Sequence, residues 1–387
     1  MRKFLPQLGL LTAIRVLLNT AFRMAYPFLG VFSRALGVDV SVLSLAVSSR
    51  AFVGMASPLV APISDLVGRK LGMIIGVVVF TLAGIALVVA PSVSTFTLFL
   101  MLGVLGKYIF DPTVLAYLGD KVPYSRRGLV VSINEMGWSG AFILGIPAAA
   151  YLISRFGWMS PIYLFIVLGI VAIIALVVLI PKTDHGVRLA RPDLGMIGTT
   201  LRKPEVLFAL GIGLWSTAGN EIVNLIFGVW LEDTFAVKLA ALAAASAIIG
   251  IAELGGEGLV ALFTDKIGIP VALGVGLISC SIAAIALPLL AGSQTGALVG
   301  LFFFYISFEF VIVSHLPLMT EVMPEARATA MSLNLMSFSI GRALGAFLAP
   351  QVYGYLGFGA VTAVSVSFNM VAITSLFLYA QIGRAHV

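Results

Sequence analysis

Residues 160–180 read SPIYLFIVLGIVAIIALVVLI, twenty-one residues with no charge and with proline only in second place. As a helix rising 1.5 Å per residue, such a run is roughly 30 Å long, the thickness of a bilayer's hydrocarbon core. No soluble core needs a helix that is apolar on every side. Lipid is the solvent this stretch expects, and the rest of the chain agrees. Of its 387 residues 60% are hydrophobic and 10% charged, against about 45–50% and about 25% in soluble domains.

Working outward from that run, apolar stretches of spanning length fall near 6–31, 41–64, 71–91, 96–119, 128–153 and 160–180. A second set lies near 205–231, 240–263, 270–291, 296–319, 328–352 and 359–381. Turn residues mark the gaps, among them Pro91-Ser92, Pro181, Gly292-Ser293 and Gly357. The fold class expected is an all-α membrane protein, twelve transmembrane helices in two six-helix pseudo-symmetric bundles. The bundles cover residues 1–181 and 205–381, with the polar stretch 182–204 as linker. Ile382–Val387 matches the translation of a short-read sequencing adapter and is set aside from functional reading, His386 with it.

The net charge of +6 comes from basic residues placed between apolar runs, a topology signal rather than a nucleic-acid patch. The N-terminus and even-numbered loops hold fourteen Lys and Arg, the odd-numbered loops Arg34, Arg155 and Lys238. The positive-inside rule then puts the N-terminus and the central linker in the cytoplasm of a multi-pass plasma (inner) membrane protein. Met1-Arg2-Lys3 leads into a spanning run with no small-residue cleavage site, so no signal peptide is expected. Cys280 is the only cysteine, which excludes an intrachain disulfide.

The halves repeat at an offset of 200. Asp65 and Asp265, Gly68 and Gly268, Gly76 and Gly276, Asn134 and Asn334, Ser139 and Ser339, Gly145 and Gly345, and Gly157 and Gly357 all superpose. One constant offset across several spans implies a duplicated six-span unit. Parallel repeats of this kind form transporters whose binding site lies between the copies.

Eleven ionisable residues fall inside spans: Arg15, Arg23, Arg50, Lys107, Asp111, Glu135, Glu221, Glu253, Glu257, Glu309 and Arg342. Each would cost roughly 2.5–3.5 kcal/mol or more facing lipid at mid-membrane. The third, sixth, ninth and twelfth spans carry none and are expected outermost. The other eight surround something polar, either a cavity or a set of buried ion pairs. Asn19, Arg23, Lys107 and Arg342 are the candidate solute contacts, although Lys107 and Asp111, one turn apart, also suit a local salt bridge. In-span charges sum to +2 in the first half and −3 in the second. Such walls suit a zwitterionic or mixed-charge solute, and equally ion pairs that break and re-form between the halves. Glu221 and Glu309 have no basic residue one turn away and are the candidate proton carriers, with Glu253, beside Glu257, in reserve. The aromatics of the tenth span, Phe302 to Phe310, serve packing or a solute.

Ala61-Pro-Ile-Ser-Asp65-Leu-Val-Gly68-Arg69-Lys70, after the second span, resembles the signature loop of the major facilitator superfamily, G-x-x-x-D-[RK]-x-G-R-[RK]. Ala61 replaces its first glycine and Leu66 its first basic residue; the second copy keeps Asp265, Lys266 and Gly268. The resemblance implies a gating latch in which Asp65 caps a helix N-terminus, most simply that of the eleventh helix, and Arg69 pairs Asp120. It further implies a monomeric secondary transporter of a small organic solute in a lipid bilayer, needing no cofactor and no nucleic acid. Gly145-Ile146-Pro147 partly matches the fifth-span motif of the family's exporters and leans the reading toward proton-coupled efflux. An importer or facilitator of a nutrient or lipid-like molecule, or a non-transporting membrane sensor on the same scaffold, are the alternatives. Enzyme signatures (G-x-S-x-G, H-E-x-x-H, P-loop, G-x-G-x-x-G) are missing from the sequence, and of three histidines only His315 lies in a span, so neither catalysis nor a metal site is expected.

Overall fold

The computed structural model describes residues 5–56, 67–122, 124–181, 201–322 and 327–385. Among these the regular structure is helical throughout, as a bilayer demands, because only a helix satisfies every backbone group within its own segment. The first bundle comprises α1 (Leu5–Arg23), α2 (Leu29–Leu36), α3 (Val40–Met55), α4 (Arg69–Val89), α5 (Val93–Lys121), α6 (Tyr124–Gly140), α7 (Ile146–Phe156) and α8 (Ser160–Leu179). The second comprises α9 (Pro204–Phe235), α10 (Leu239–Ile267), α11 (Ile269–Leu290), α12 (Gln294–Val322) and α13 (Arg327–Ala385). α13 is two spans, the eleventh and twelfth, joined at Gly357, whose φ of 76° and ψ of −177° break the helix.

Two spans are interrupted, each by a proline. α1 and α2 form the first span around Met24–Phe28, where helical bonding persists through Phe28 N–H to Met24 O at 3.3 Å and Phe32 N–H to Phe28 O at 3.0 Å. Pro27 supplies no N–H and crowds the preceding turn, which opens the helix there. The matching position in the second half is Phe227, and α9 runs unbroken. The fifth span is α6 and α7 joined by a π turn at Ala141–Gly145, immediately before Pro147. An extra residue per turn absorbs the donor that proline lacks. α2 then meets α3 at 117° across Gly37. With these joins the described residues make twelve spans.

The backbone carries the duplication as clearly as the sequence does. Among the described residues positive φ occurs at six positions, and they pair: Gly68 at 87° with Gly268 at 84°, Gly157 at 87° with Gly357 at 76°, and Gly37 at 67° with Ala236 at 51°. Each pair ends a helix in a conformation that glycine adopts without a Cβ clash.

α4, α8, α11 and the second part of α13 turn broad apolar faces outward. On α11, Val271, Val275, Ile278, Ile282, Ile285 and Leu289 recur every three or four residues and are all exposed, one continuous stripe for lipid. α9 is the opposite case, with every residue from Ser216 to Leu231 buried, which makes the seventh span central. Close approach is bought with glycine: a Cβ on Gly76 of α4 would stand 2.7 Å from the carbonyl oxygen of Gly106 on α5.

Candidate functional site: a charged cavity between the bundles

A cavity of about 520 Å³ lies between the two bundles, lined from α1, α6, α9, α10, α12 and α13. Its floor is set by helices packed too closely to leave space. Gly228 of α9 lets Pro27 approach so near that a Cβ would meet its carbonyl oxygen at 2.7 Å. At the end of the molecule away from the N-terminus, Arg34 of α2 donates Nη1–H to Glu232 of α9 at 2.9 Å, tying the bundles together. That pair holds the Arg34 guanidinium above its ordinary pKa, chiefly through the hydrogen bond to Glu232. On the same end Tyr353 donates to Asp233 at 2.8 Å, and the Trp230 and Phe358 rings stack with centroids 3.7 Å apart. The cavity opens toward the N-terminal end, where the Glu135 side chain keeps 41% of its surface exposed.

Three ion pairs hold most of the intramembrane charge. Arg15 grips Glu135 with two bonds of 2.6 Å, and its Nε lies 3.7 Å from Asp111. Lys107 is bound to Asp111 on its own helix. Arg23 holds Glu253 with both guanidinium nitrogens, Nη1 at 2.8 Å. The Arg23 guanidinium also lies 4.2 Å from the Trp138 ring centroid and 3.6 Å from that of Phe142, a cation–π sandwich that replaces part of its lost hydration. Each pair satisfies charges that would otherwise be costly at this depth.

Of the intramembrane charges outside these pairs, all but Arg50 line the cavity. Arg342 of α13 makes no ion pair among the described residues; it lies 5.9 Å from the Phe22 ring and 6.0 Å from that of Trp138. Glu221, Glu257 and Glu309 are carboxylates without a basic partner in contact, again among the described residues. Glu221 accepts from Asn224 Nδ2, at 3.3 Å, and Asn224 in turn accepts from the Tyr305 hydroxyl at 2.6 Å. Behind Glu221 and Arg342 a small space of about 20 Å³ reaches Arg50 of α3. Arg50 is buried with neutral partners: the carbonyls of Val47 and Phe22, at 3.1 and 2.8 Å, and the Tyr26 hydroxyl at 3.0 Å.

The expected solute contacts divide. Arg23 and Arg342 line the cavity; Asn19 and Lys107 do not. Asn19 faces α6 and donates to the Gly137 carbonyl at 3.1 Å, and Lys107 is consumed by Asp111 inside the first bundle. All three expected proton carriers, Glu221, Glu309 and Glu253, line the cavity, and Glu253 is already the partner of Arg23. At the loop after the second span Asp65 lies outside the described residues. Gly68 adopts φ 87°, and Arg69 Nε lies 3.2 Å from Asp120. Sequence reasoning left out Tyr26, Asn220 and Asn224, and gave Tyr305 only as one of the tenth-span aromatics. The signal for two of them is the run Asn220-Glu221-x-x-Asn224, three polar residues at successive and one-turn spacing in an otherwise apolar span.

The family model described as Major Facilitator Superfamily matches residues 11–346. The uncharacterised MFS-type transporter YwfA of Bacillus subtilis is 24% identical over 364 residues, 92% of this chain and 88% of that protein. The quinolone resistance protein NorA of Staphylococcus aureus is 28% identical over 176 residues, 44% of this chain and 45% of that protein. Among solved structures, the D-xylose-proton symporter superposes with a TM-score of 0.78 at 14% identity, over 96% of both chains.

Proposed function

Since this chain belongs to the Major Facilitator Superfamily, we infer that it is a secondary active transporter that exports a small organic solute in exchange for protons, by alternating access. The observation that carries this reading is the cavity itself. Among the described residues, one guanidinium and three carboxylates stand in it without ion-pair partners, between two bundles tied at one end by Arg34 and Glu232 and open at the other. Mobile charges there are what a solute and a coupling ion need, since each intramembrane charge left unmatched costs several kcal/mol.

The Lys and Arg distribution supports an orientation with the N-terminus and linker in the cytoplasm, which makes this conformation open to the inside. The partial relative NorA, named for quinolone resistance, and the proline-associated π turn of the fifth span support export. Arg69 beside Asp120 supports a latch that also needs Asp65. Arg23, with Glu253 as its standing partner, and Arg342 are the solute-side cations; Glu309 and Glu221 are the proton carriers, with Glu257 in the place first given to Glu253.

Proteoliposomes holding a pH-sensitive dye and an inside-acid gradient test the reading. A solute from a small-molecule panel that alkalinises the lumen on addition is exchanged for protons, as expected. Acidification of ungradiented vesicles by the same solute signals cotransport and overturns the export reading.

A further inference from the structure

The unpaired charges are not scattered; they form two poles. At the α3–α13 side Arg50 and Arg342 converge on one carboxylate, Glu221, around the small space behind the cavity. Among the described residues Arg50 has only carbonyls and the Tyr26 hydroxyl for partners, so this pole, as described, carries one positive charge in excess. At the α10–α12 side Glu257 and Glu309 face the cavity while the neighbouring Arg23 is already held by Glu253. This pole is negative. Between the poles the wall is aromatic, with Phe22, Trp138, Phe308 and Phe338.

We propose that the cavity takes an aromatic zwitterion, its anionic group on Arg342 and its protonated amine on Glu309 with Glu257. The proposal rests on the transporter reading and names the substrate class of the same site. A purely cationic solute would leave the guanidinium pole uncompensated, and a purely anionic one would leave two carboxylates facing each other in low dielectric. One zwitterion neutralises the positive pole and half of the negative pole, and a single proton neutralises the rest. The small space beside Arg50 holds about one water, so the anionic group reaches Arg342 directly and feels Arg50 through space. A volume of about 520 Å³ suits a drug-sized molecule. The aromatic walls offer the ring faces of the solute stacking partners.

Three probes on one scaffold separate the poles: para-piperazinylbenzoic acid, its methyl ester, which is only cationic, and its N-acetyl derivative, which is only anionic. Calorimetric titration into the full-length protein in detergent at neutral pH should rank the zwitterion about ten-fold or more tighter than either relative, as expected for charged hydrogen bonds. Arg342→Gln should abolish the preference for the acid by weakening the acid while the ester binds at least as tightly as before, which also shows that the variant is folded. Arg342→Lys should keep the preference for the acid. Glu309→Gln combined with Glu257→Gln should abolish the preference of the acid over the N-acetyl derivative, which should bind at least as tightly as before. An ester that matches the acid, a failure of all three probes to bind, or an Arg342→Gln variant that weakens acid and ester alike overturns the proposal. Counterflow of labelled probes in proteoliposomes separates the two readings. The predicted binding order without counterflow overturns the transporter reading, whereas counterflow favouring the ester overturns the zwitterion.

Discussion

Arg23 of α1 and Glu253 of α10 are joined across the bundle interface by a two-bond ion pair whose side chains are only 5% and 4% exposed. The Trp138 and Phe142 rings pack against the guanidinium. Removing one member leaves the other charged in an apolar setting, at a cost of about 3–5 kcal/mol. Glu253→Ala is therefore expected to lower the melting temperature of the purified protein sharply. Arg23→Met with Glu253→Leu should recover most of that loss, because no lone charge remains. A double variant as unstable as the single one would show that the pair is not what couples these helices.

The far end closes on a backbone contact as well as on the Arg34–Glu232 pair. A methyl group on Gly228 would push into Pro27, an overpacking of about 1–3 kcal/mol confined to the conformation described. Gly228→Ala should thus shift the population away from this state by about five-fold to a hundred-fold. Val237→Cys provides the readout, labelled from outside by a membrane-impermeant maleimide; Cys280 is only 2% exposed and stays silent. Faster labelling in the Gly228→Ala background is the expected result, and unchanged labelling would count against this contact as the seal.

Ala236 holds the left-handed conformation, φ 51° and ψ 36°, that its counterpart Gly37 adopts freely. For an L-residue that region costs about 1–2 kcal/mol, partly offset by the greater chain entropy of glycine when unfolded. Ala236→Gly should raise the melting temperature by about 1–2 °C, and Gly37→Ala should lower it. Equal and opposite shifts are not required; a fall on Ala236→Gly would contradict the conformation.

The spans, the repeat and the lipid-facing helices were legible because bilayer physics writes them into composition. Uncharged runs such as 160–180 can face hydrocarbon, and charged ones cannot. The pairing of charges was not legible. Asn19, Arg15 and Arg23 share one face of α1 at four-residue spacing, yet Asn19 bonds α6, Arg15 bonds Glu135, and Arg23 crosses to the other bundle. Which neighbour a side chain meets depends on the rotation of each helix about its axis, and one residue of drift turns it by about 100°. Lys107 is the exception: a local pair with Asp111, one turn away on the same helix, was one of the two readings its spacing offered, and the two side chains are paired. Pro27 and Pro147 were visible as residues, but whether proline kinks a span or is absorbed by a π turn depends on the packing around it.

A proton carrier must be charged in one state and neutral in the other, and a carboxylate gripped by a guanidinium stays charged. That argument removes Glu135, Glu253 and Asp111 in the conformation described, each of which has a basic partner in contact. Glu221, Glu257 and Glu309 remain. Glu221 faces Arg342 and accepts from Asn224, so part of its charge is balanced. Glu257 is the more open to the cavity, with Glu253, Glu135, Arg23 and Arg15 around it. Glu309 faces Glu253 and Glu257 from α10, Arg23 from α1 and Arg342 from α13, and Arg23 is already occupied. It is the carboxylate whose charge depends most on what else enters the cavity. Glu309→Gln should abolish movement of solute driven by a pH gradient while keeping exchange of labelled for unlabelled solute at equal concentration. Glu221→Gln should weaken gradient-driven movement less, and the exchange rate of the Glu309→Gln variant should lose the pH dependence that the unaltered protein shows. If Glu309→Gln still accumulates solute against its gradient, Glu257→Gln becomes the decisive variant, and if both do, protons are not the coupling ion at this site.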